Sequence, residues 1–387
     1  MKNRLWILIL CVSLLLTGCS WFHGSYVNVT PYQQQSGAGQ SEAVSARNYF
    51  QLRAAMENLV STGTESSVIY VADYDPELVE TNLQEAVEYI KKSFPIGAFA
   101  VEEISYEVGT SSGKPAIALK ITYLRSKADI RRIRTVKNMD RAEVIIGDAL
   151  KSYDATLVLK IENYSETDFV QLVEDYGEIH PEYVMEAPAV TADVFGRGNT
   201  RVVELNFSYQ NNRDSLKQMK TQVQPMFDAA ALYVTSSAQD RQKFSQLYSF
   251  LMERFDYKLE TSITPAYSLL CHGVGDSRAF ALVYASMCRR AGMECQIVTG
   301  TRNGEPWTWN MVVDNGNNYH VDLLRCSAQG SFFEMVDTQM SGYVWDYSAY
   351  PACASPQMPA GQESAASPQE DEEKHPIAQP TENPEEK

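Results

Sequence analysis

The sequence has no Cys-x-x-Cys pair, no glycine-rich phosphate loop and no stripe of interleaved basic and aromatic residues. Each absence closes a class of function. Without closely spaced thiols, neither a zinc site nor a thioredoxin-like redox motif is expected. Without a glycine-rich turn opening a helix, there is no cradle for a nucleotide phosphate. Positive charge is also short: 33 lysines and arginines stand against 49 aspartates and glutamates, a net charge of −16. Nucleic acid is therefore excluded as a partner, and a phosphate-binding surface is not expected. No residue pattern calls for a cofactor or a metal. Apolar runs of membrane-spanning length are missing too, and the longest, Leu5 to Leu16, is too short to cross a bilayer comfortably.

That short run has a meaning of its own. Lys2 and Arg4 precede it and Leu16-Thr17-Gly18-Cys19 ends it, which is the layout of a secretory signal. The last four residues resemble the bacterial lipobox. The resemblance implies cleavage before Cys19 and a diacylglyceryl group on its sulfur, with acylation of the new amine. Two or more acyl chains anchor a protein where one is marginal. The expected layout is a signal peptide over 1–18 and a flexible tether over 19–45, rich in Gln, Ser, Gly and Tyr. The membrane, reached through Cys19, is then a partner, and the protein is exported and anchored on the extracytoplasmic face. At the other end, 351–387 is rich in Pro, Ser, Ala, Gln and Glu, with Glu370-Asp371-Glu372-Glu373 amid prolines. Such a composition buries no core and reads as a disordered acidic tail.

Five cysteines remain after Cys19: Cys271, Cys288, Cys295, Cys326 and Cys353. Export permits disulfides, but an odd number leaves at least one thiol unpaired in a monomer. No pairing is assigned. Cys288 falls at helical spacing with Phe280 and Tyr284 and reads as a small buried apolar residue.

The middle of the chain carries a long internal similarity. Ser67 to Val71 alternates as a strand, Pro76 to Lys92 has a helical apolar face, and Phe99–Val108 and Ala116–Leu124 alternate around Ser111-Ser112-Gly113. A charged helix is expected from Ala128 to Leu150. The order recurs as strand Thr156–Ile161, helix Glu166–Tyr176, strands Glu182–Val194 and Arg201–Tyr209 around Gly196-Arg197-Gly198, and helix Ser215–Tyr233. Ile121-Thr122-Tyr123 lines up with Phe207-Ser208-Tyr209. This predicts two β-α-β-β-α repeat units, 46–153 and 154–236, of α+β class. His180 reads as a turn residue and Glu174-Asp175 as a solvated helix face.

From Ala238 the pattern changes. A helix to Phe255 leads to Gly273-Val274-Gly275-Asp276-Ser277, the start of a helix that stops at Ala291-Gly292. Two strands follow, bearing Trp307-Thr308-Trp309-Asn310 and Tyr319-His320-Val321-Asp322. The order resembles the core of the transglutaminase-like superfamily, and it implies a papain-like α+β domain over 237–350. In that family a catalytic Cys opens the helix, a His-Ala-Trp-Asn strand supplies the base, and an aromatic-His-Val-Asp strand supplies the orienting Asp. Matched position by position, Ser277 stands at the Cys position and Trp307 at the His position. Trp309, Asn310 and Asp322 match.

The two replacements decide the chemistry. A thiolate at a helix N-terminus is stabilised by free N–H groups, whereas a serine hydroxyl needs a base during attack. An indole only donates, so Trp307 cannot be that base. No catalytic residue is therefore expected. The implied function is binding of peptide or cell-wall material in a cleft lined by Trp307, Trp309, Asn310 and His320. The alternatives are an active hydrolase or transamidase using Cys271 or Ser277 with His320 or His272, and a structural spacer or assembly partner at the membrane. His320 shares a strand face with Asp322 by the period of two. Cys271-His272 reads as a loop pair ahead of the helix.

The N-terminal pattern carries a direct expectation. Cys19→Ala should abolish incorporation of labelled palmitate and leave the protein as uncleaved precursor or in soluble form. Palmitate labelling that persists in this variant contradicts lipid attachment at Cys19.

Overall fold

The computed structural model describes residues 44–354, so Cys19, most of the tether and the tail beyond residue 354 lie outside the described residues. Helix α1 (Tyr49–Ser61) is capped by Asn48, whose side chain accepts the Gln51 N–H at 3.0 Å. Strand β1 (Ser66–Tyr70), α2 (Val79–Lys92), the short α3 (Pro95–Ala100), β2 (Val101–Ser111) and β3 (Lys114–Tyr123) complete a first unit. Its antiparallel sheet has the order β1-β3-β2. Ile69, Ile117 and Ile121 of the sheet pack on Leu52 and Met56 of α1 and on Leu83 and Ile90 of α2.

Where one helix is expected from Ala128 to Leu150, the structure has three elements: α4 (Lys127–Arg132), β4 (Arg134–Asn138) and α5 (Met139–Ser152). The local reasons are legible. Ser126 and Asp129 form a reciprocal cap on α4, β-branched Ile133, Thr135 and Val136 favour extended backbone, and Asn138 caps α5 by accepting the Arg141 N–H at 3.2 Å. After α5 come β5 (Thr156–Asn163), α6 (Phe169–Ile179), β6 (Ala189–Phe195) and β7 (Arg201–Ser208). The sheet order is β4-β5-β7-β6, with β4 parallel to β5 and the other pairs antiparallel. Ala142, Ile146 and Leu150 of α5 pack into this second core. The change between the first two cores thus falls near residue 133 and not at 153. The strand expected from Glu182 begins only at Ala189, because 182–188 is a loop that buries Glu182 and Glu186 as hydrogen-bond acceptors.

The second sheet's other face, with Val158, Phe195 and Val202, packs on the first core, and Phe99 meets Phe195 edge-on at 5.3 Å between ring centres. Gly196 (φ +88°) passes so close to Pro95 that a Cβ would sit 2.7 Å from its Cα.

The third unit opens with α7 (Arg213–Tyr233). Leu216, Val223 and Phe227 of this helix enter the third core and not the second, which the sequence pattern had it closing. There follow α8 (Asp240–Met252), β8 (Asp256–Tyr257), α9 (Pro265–His272), β9 (Val274–Gly275), α10 (Ser277–Arg290), β10 (Cys295–Arg302), β11 (Glu305–Asp314), β12 (Asn317–Val321), α11 (Leu323–Ala328) and β13 (Tyr343–Trp345). The sheet order is β12-β11-β10-β13, entirely antiparallel. Asn303-Gly304 and Asn315-Gly316, all at positive φ, make the two hairpin turns. Helix α10 is buried along nearly its whole length between sheet and helices. Among the described residues no helix is long and apolar enough to cross a membrane.

The second and third units are joined by polar contacts. Arg278 pairs with Glu178 at 3.0 Å, Arg289 donates to the Ile179 carbonyl, and Ser286 donates to buried Glu182 at 2.7 Å. His180 Nδ1 lies 3.2 Å from the other Glu182 oxygen. Burial pushes the Glu182 pKa up, but the hydrogen bonds from His180 and Ser286 outweigh it and hold the group below its usual value. A carboxylate with a depressed folded pKa contributes stability above its unfolded pKa and loses it as pH falls through the folded value. Glu182→Gln should therefore cost about 1–3 kcal/mol at neutral pH. The gap from wild type should close as pH falls below about 4.3, the ordinary glutamate value. Urea midpoints measured from neutral to acid pH check this, and a pH-independent gap would contradict it.

Candidate functional site

Helix α10 begins where Asp276 accepts the Ala279 N–H at 2.8 Å, which places Ser277 at its first turn. The helix then packs across β10 and β11. Strand β12 covers β11 only from Asn310 to Asp314. The Thr308 N–H, beyond that cover, donates to Ser277 Oγ at 3.2 Å. Thus Ser277 lies against the backbone between Trp307 and Trp309, largely buried.

Trp307 turns its indole to the opposite side of the strand from Thr308, toward the start of α11. Its Nε1–H donates to Asp322 Oδ2 at 2.9 Å. The same oxygen accepts the Tyr343 hydroxyl and faces an Arg302 nitrogen at 3.4 Å. Asp322 Oδ1 caps α11 by accepting the N–H groups of Leu324 at 3.0 Å and Arg325 at 3.3 Å. With 2% of its surface exposed, this carboxylate is buried among five donors. The Arg302 guanidinium lies 5.1 Å from the Trp307 ring centre and 5.5 Å from that of Tyr343. Tyr257 of β8 lies 5.7 Å from the Trp307 ring. Burial, and then the Asp322 charge, pushes the Tyr343 hydroxyl well above the usual tyrosine value, so it stays a donor. The structure therefore brings Ser277, Trp307 and Asp322 to one place, tied through Thr308 and the indole.

The other residues of the expected cleft lie inside. Trp309 and Asn310 are fully buried, and Asn310 donates to the Ala281 carbonyl at 2.9 Å, tying β11 to α10. His320 is 0% exposed. Of the four aromatic and polar positions expected to line a cleft, Trp307 alone keeps some exposure. Trp307, Arg302 and Tyr257 keep exposed surface, whereas Trp309, Asn310 and His320 do not.

His320 does lie on the Asp322 side of its strand, yet its partner is Asp337, at 2.9 Å from Nε2. The Trp309 indole donates to His320 Nδ1 at 3.0 Å. Nδ1 must therefore carry the lone pair and Nε2 the proton, which Asp337 accepts. Burial lowers the His320 pKa against the raising effect of Asp337. Both ring nitrogens are engaged, so His320 is a neutral structural residue and no base for Ser277. The same tautomer bears on a compact cluster in which His320, Asp337 and Cys353 bring ligand atoms within 4.8 Å of one another. A metal on Nε2 would require a proton on Nδ1, facing the fixed indole N–H. Burial, and then the Asp337 charge, also pushes the Cys353 thiol up to about 12, away from the thiolate a metal needs. These residues fit a satisfied hydrogen-bond cluster and not a metal centre.

Cys271 and His272 do not form a loop pair. They end α9, with Gly273 (φ +81°) as the left-handed cap. The His272 ring stacks edge-on against Tyr267 at 5.0 Å, and burial raises the Cys271 thiol above its usual value. Neither sits at the start of α10. Arg302 and Tyr343 went unrecognised in the sequence. Arg302 ends a strand at a hairpin turn and Tyr343 arrives from a distant segment, so neither carries a local signal.

Residues 228–347 match the family model of the transglutaminase-like superfamily. The C-terminal half of this protein is therefore built on a transglutaminase-like superfamily domain, and the match begins inside α7, the helix that enters the third core. Solved structures similar to the chain include a TGase, 10% identical, covering 43% of this chain and 50% of that one at a TM-score of 0.25. A "putative cysteine protease" from Cytophaga hutchinsonii is 13% identical, covering 38% of this chain and 66% of that one at a TM-score of 0.25. A "putative protease" from Parabacteroides distasonis is 8% identical, covering 55% and 47% at a TM-score of 0.22. The chain thus spans about half to two thirds of the length of these structures. No curated protein matches the sequence.

The geometry around Asp322 predicts the order of two substitutions. Asp322→Ala orphans the Trp307, Tyr343 and Arg302 donors and uncaps α11, and should cost about 3–5 kcal/mol. Trp307→Phe keeps the aromatic body and loses one donor, at about 1–2 kcal/mol. Urea unfolding of both variants checks the ranking, and a cost under about 1 kcal/mol for Asp322→Ala would sink the buried-hub description.

Proposed function

We propose that this protein is a lipid-anchored bacterial surface protein whose transglutaminase-like domain has lost catalysis and serves as a binding domain for peptide or cell-wall material. The observation that carries this reading is the Trp307 indole donating to Asp322 at the place where a base would stand. An imidazole there would hold one proton toward the carboxylate and take a second from the nucleophile. An indole holds one and takes none. The hydroxyl of Ser277 has no base among its contacts and accepts the Thr308 N–H instead. The acid that would orient a histidine is spent on an indole, a phenol, a guanidinium and a helix cap.

The rival enzyme reading has little support in the local chemistry. Cys271 is a thiol with a raised pKa at the wrong helix end, and His320 is enclosed between Trp309 and Asp337. What remains at the surface of the domain is a recognition face: partly exposed Trp307, with Arg302 stacked on it and Tyr257 beside it. Flat aromatics flanked by a guanidinium suit an extended chain with amide and carboxylate groups. The lipobox-like Leu16-Thr17-Gly18-Cys19 supports the anchor. The shared order of β1-β3-β2 and β5-β7-β6 supports descent of the first two units from one duplicated module.

The test is made on the mature wild-type protein. Amide hydrolysis and transamidation of model peptides should not exceed those of a Ser277→Ala, Cys271→Ala control, while binding to soluble peptidoglycan fragments should weaken in Trp307→Ala. Turnover that disappears in the control would overturn the binding reading and promote the enzyme.

A further inference from the structure

The protein is acidic overall, yet one of its cavities is lined by four arginines. The groove where the second sheet meets the first unit encloses about 660 Å³. Its floor is the first-unit-facing side of the second sheet, with Thr156 and Val158 of β5 beside Glu204 and Asn206 of β7. The end of α4 and the start of β4 contribute Arg131, Arg132 and Arg134 to its lining, and Arg125, just before α4, lines it too. This is where the chain departs from the single helix expected of its sequence. Over this stretch the basic residues Arg125, Lys127, Arg131, Arg132, Arg134 and Lys137 face Asp129 alone.

Charge bookkeeping inside the groove leaves an excess. Glu204 is buried and committed to Arg125, whose guanidinium also lies 5.0 Å from the Phe99 ring centre. Asp129 is committed to the cap of α4, where hydrogen bonds from Ser126 hold its pKa below the usual carboxylate value. Its only ion pair among the described residues is a loose one with Arg132 at 3.6 Å. Among the described residues, Arg131 and Arg134 have no acidic partner. Two guanidinium groups lining a large cavity are thus uncompensated. Such groups are weakly hydrated and match tetrahedral oxyanions bidentately. The rest of the lining is mixed: Phe99, Ile133, Leu157 and Val158 are apolar, while Thr156 and Asn206 offer a hydroxyl and an amide. The volume suits a small organic molecule and far exceeds a bare phosphate.

We infer that the groove between the first and second units binds an organic phosphate ester, its phosphate held by Arg131, Arg132 and Arg134 and its hydroxylated body set against Thr156 and Asn206. A phosphate ester satisfies both halves of the lining, because it carries negative charge at one end, about two charges on a monoester and one on a diester, and hydroxyl groups on a short carbon skeleton at the other. The site is separate from the Trp307–Asp322 face and rests on different residues, so either can fail alone. The ester has two possible sources: a soluble metabolite-like phosphate, or a phosphodiester headgroup at a membrane surface.

Titration calorimetry of the mature protein with glycerol 3-phosphate at low ionic strength tests the first source, and co-sedimentation with phosphatidylglycerol vesicles against phosphatidylcholine vesicles tests the second. Saturable binding to one probe is expected, weakened about tenfold or more in Arg131→Ala, Arg134→Ala and reduced by added salt. The charge-matched control Lys91→Ala, Lys92→Ala, on an exposed face of α2, should bind as wild type does. Thermal unfolding of each variant confirms that both remain folded, and Arg131→Lys, Arg134→Lys should restore only part of the binding. The inference is overturned if neither probe binds the wild type, if the arginine pair and the lysine pair lose binding equally, or if citrate binds as tightly as glycerol 3-phosphate.

Discussion

The carboxylate of Asp322 is the constraint on which the third unit is arranged. A buried, unpaired carboxylate costs several kcal/mol, and pairing it well requires donors from every direction. This chain supplies them from four segments: Trp307 of β11, Arg302 at the end of β10, Tyr343 of β13, and the first N–H groups of α11. Each donor fixes the placement of its own element. Strand β13 reaches the sheet edge at Gly300, where any side chain would strike the Val344 carbonyl, and Tyr343 is thereby delivered to Asp322. Without the carboxylate, the hairpin, the edge strand and the short helix would have no shared polar anchor.

That arrangement gives the transglutaminase-like framework a polar anchor that does not depend on a base. In an acid–imidazole pair, the imidazole is both a donor to the acid and an acceptor for the nucleophile's proton. Trp307 fills the donor role toward Asp322 and, as an indole, offers no acceptor. This donor contact is extended by packing with Arg302 and Tyr257. On the other side of β11, Ser277 Oγ accepts a backbone N–H and Asn310 ties the strand to α10. Both contacts hold β11 against α10, a helix buried on nearly every side. The polar seam of Arg278, Ser286 and Arg289 then fixes this helix to the second unit.

The parts legible in the sequence are those with local causes. The stop of α10 at Ala291-Gly292, the alternation through Trp307 and Trp309, and the Tyr319-to-Asp322 run place the transglutaminase-like core because each is a short-range pattern. The Asn303-Gly304 and Asn315-Gly316 pairs that turn both hairpins are equally local signals, though they went unrecognised in the sequence. What else escaped depends on distance. Arg302 and Tyr343 meet Asp322 from 20 and 21 residues away with no periodic signature. His320 was rightly placed on the Asp322 face by the period of two, but its partner Asp337 comes from outside the strands. Between Ala128 and Leu150, helix-forming composition concealed β4, whose pairing to β5 joins residues more than twenty apart. The net charge of −16 likewise hid a local excess of arginine that only folding gathers into one groove.

The most direct test of the central claim, that an indole has taken the place of the base and is bound to the orienting carboxylate, is the hydrogen exchange of the Trp307 indole N–H, followed by nitrogen-15 NMR on the folded protein. The account predicts a hydrogen-bonded, slowly exchanging Nε1–H in a partly exposed tryptophan, with protection lost in Asp322→Asn. An indole N–H that exchanges as fast as that of a free surface tryptophan, or that is unaffected by the change at Asp322, would contradict it.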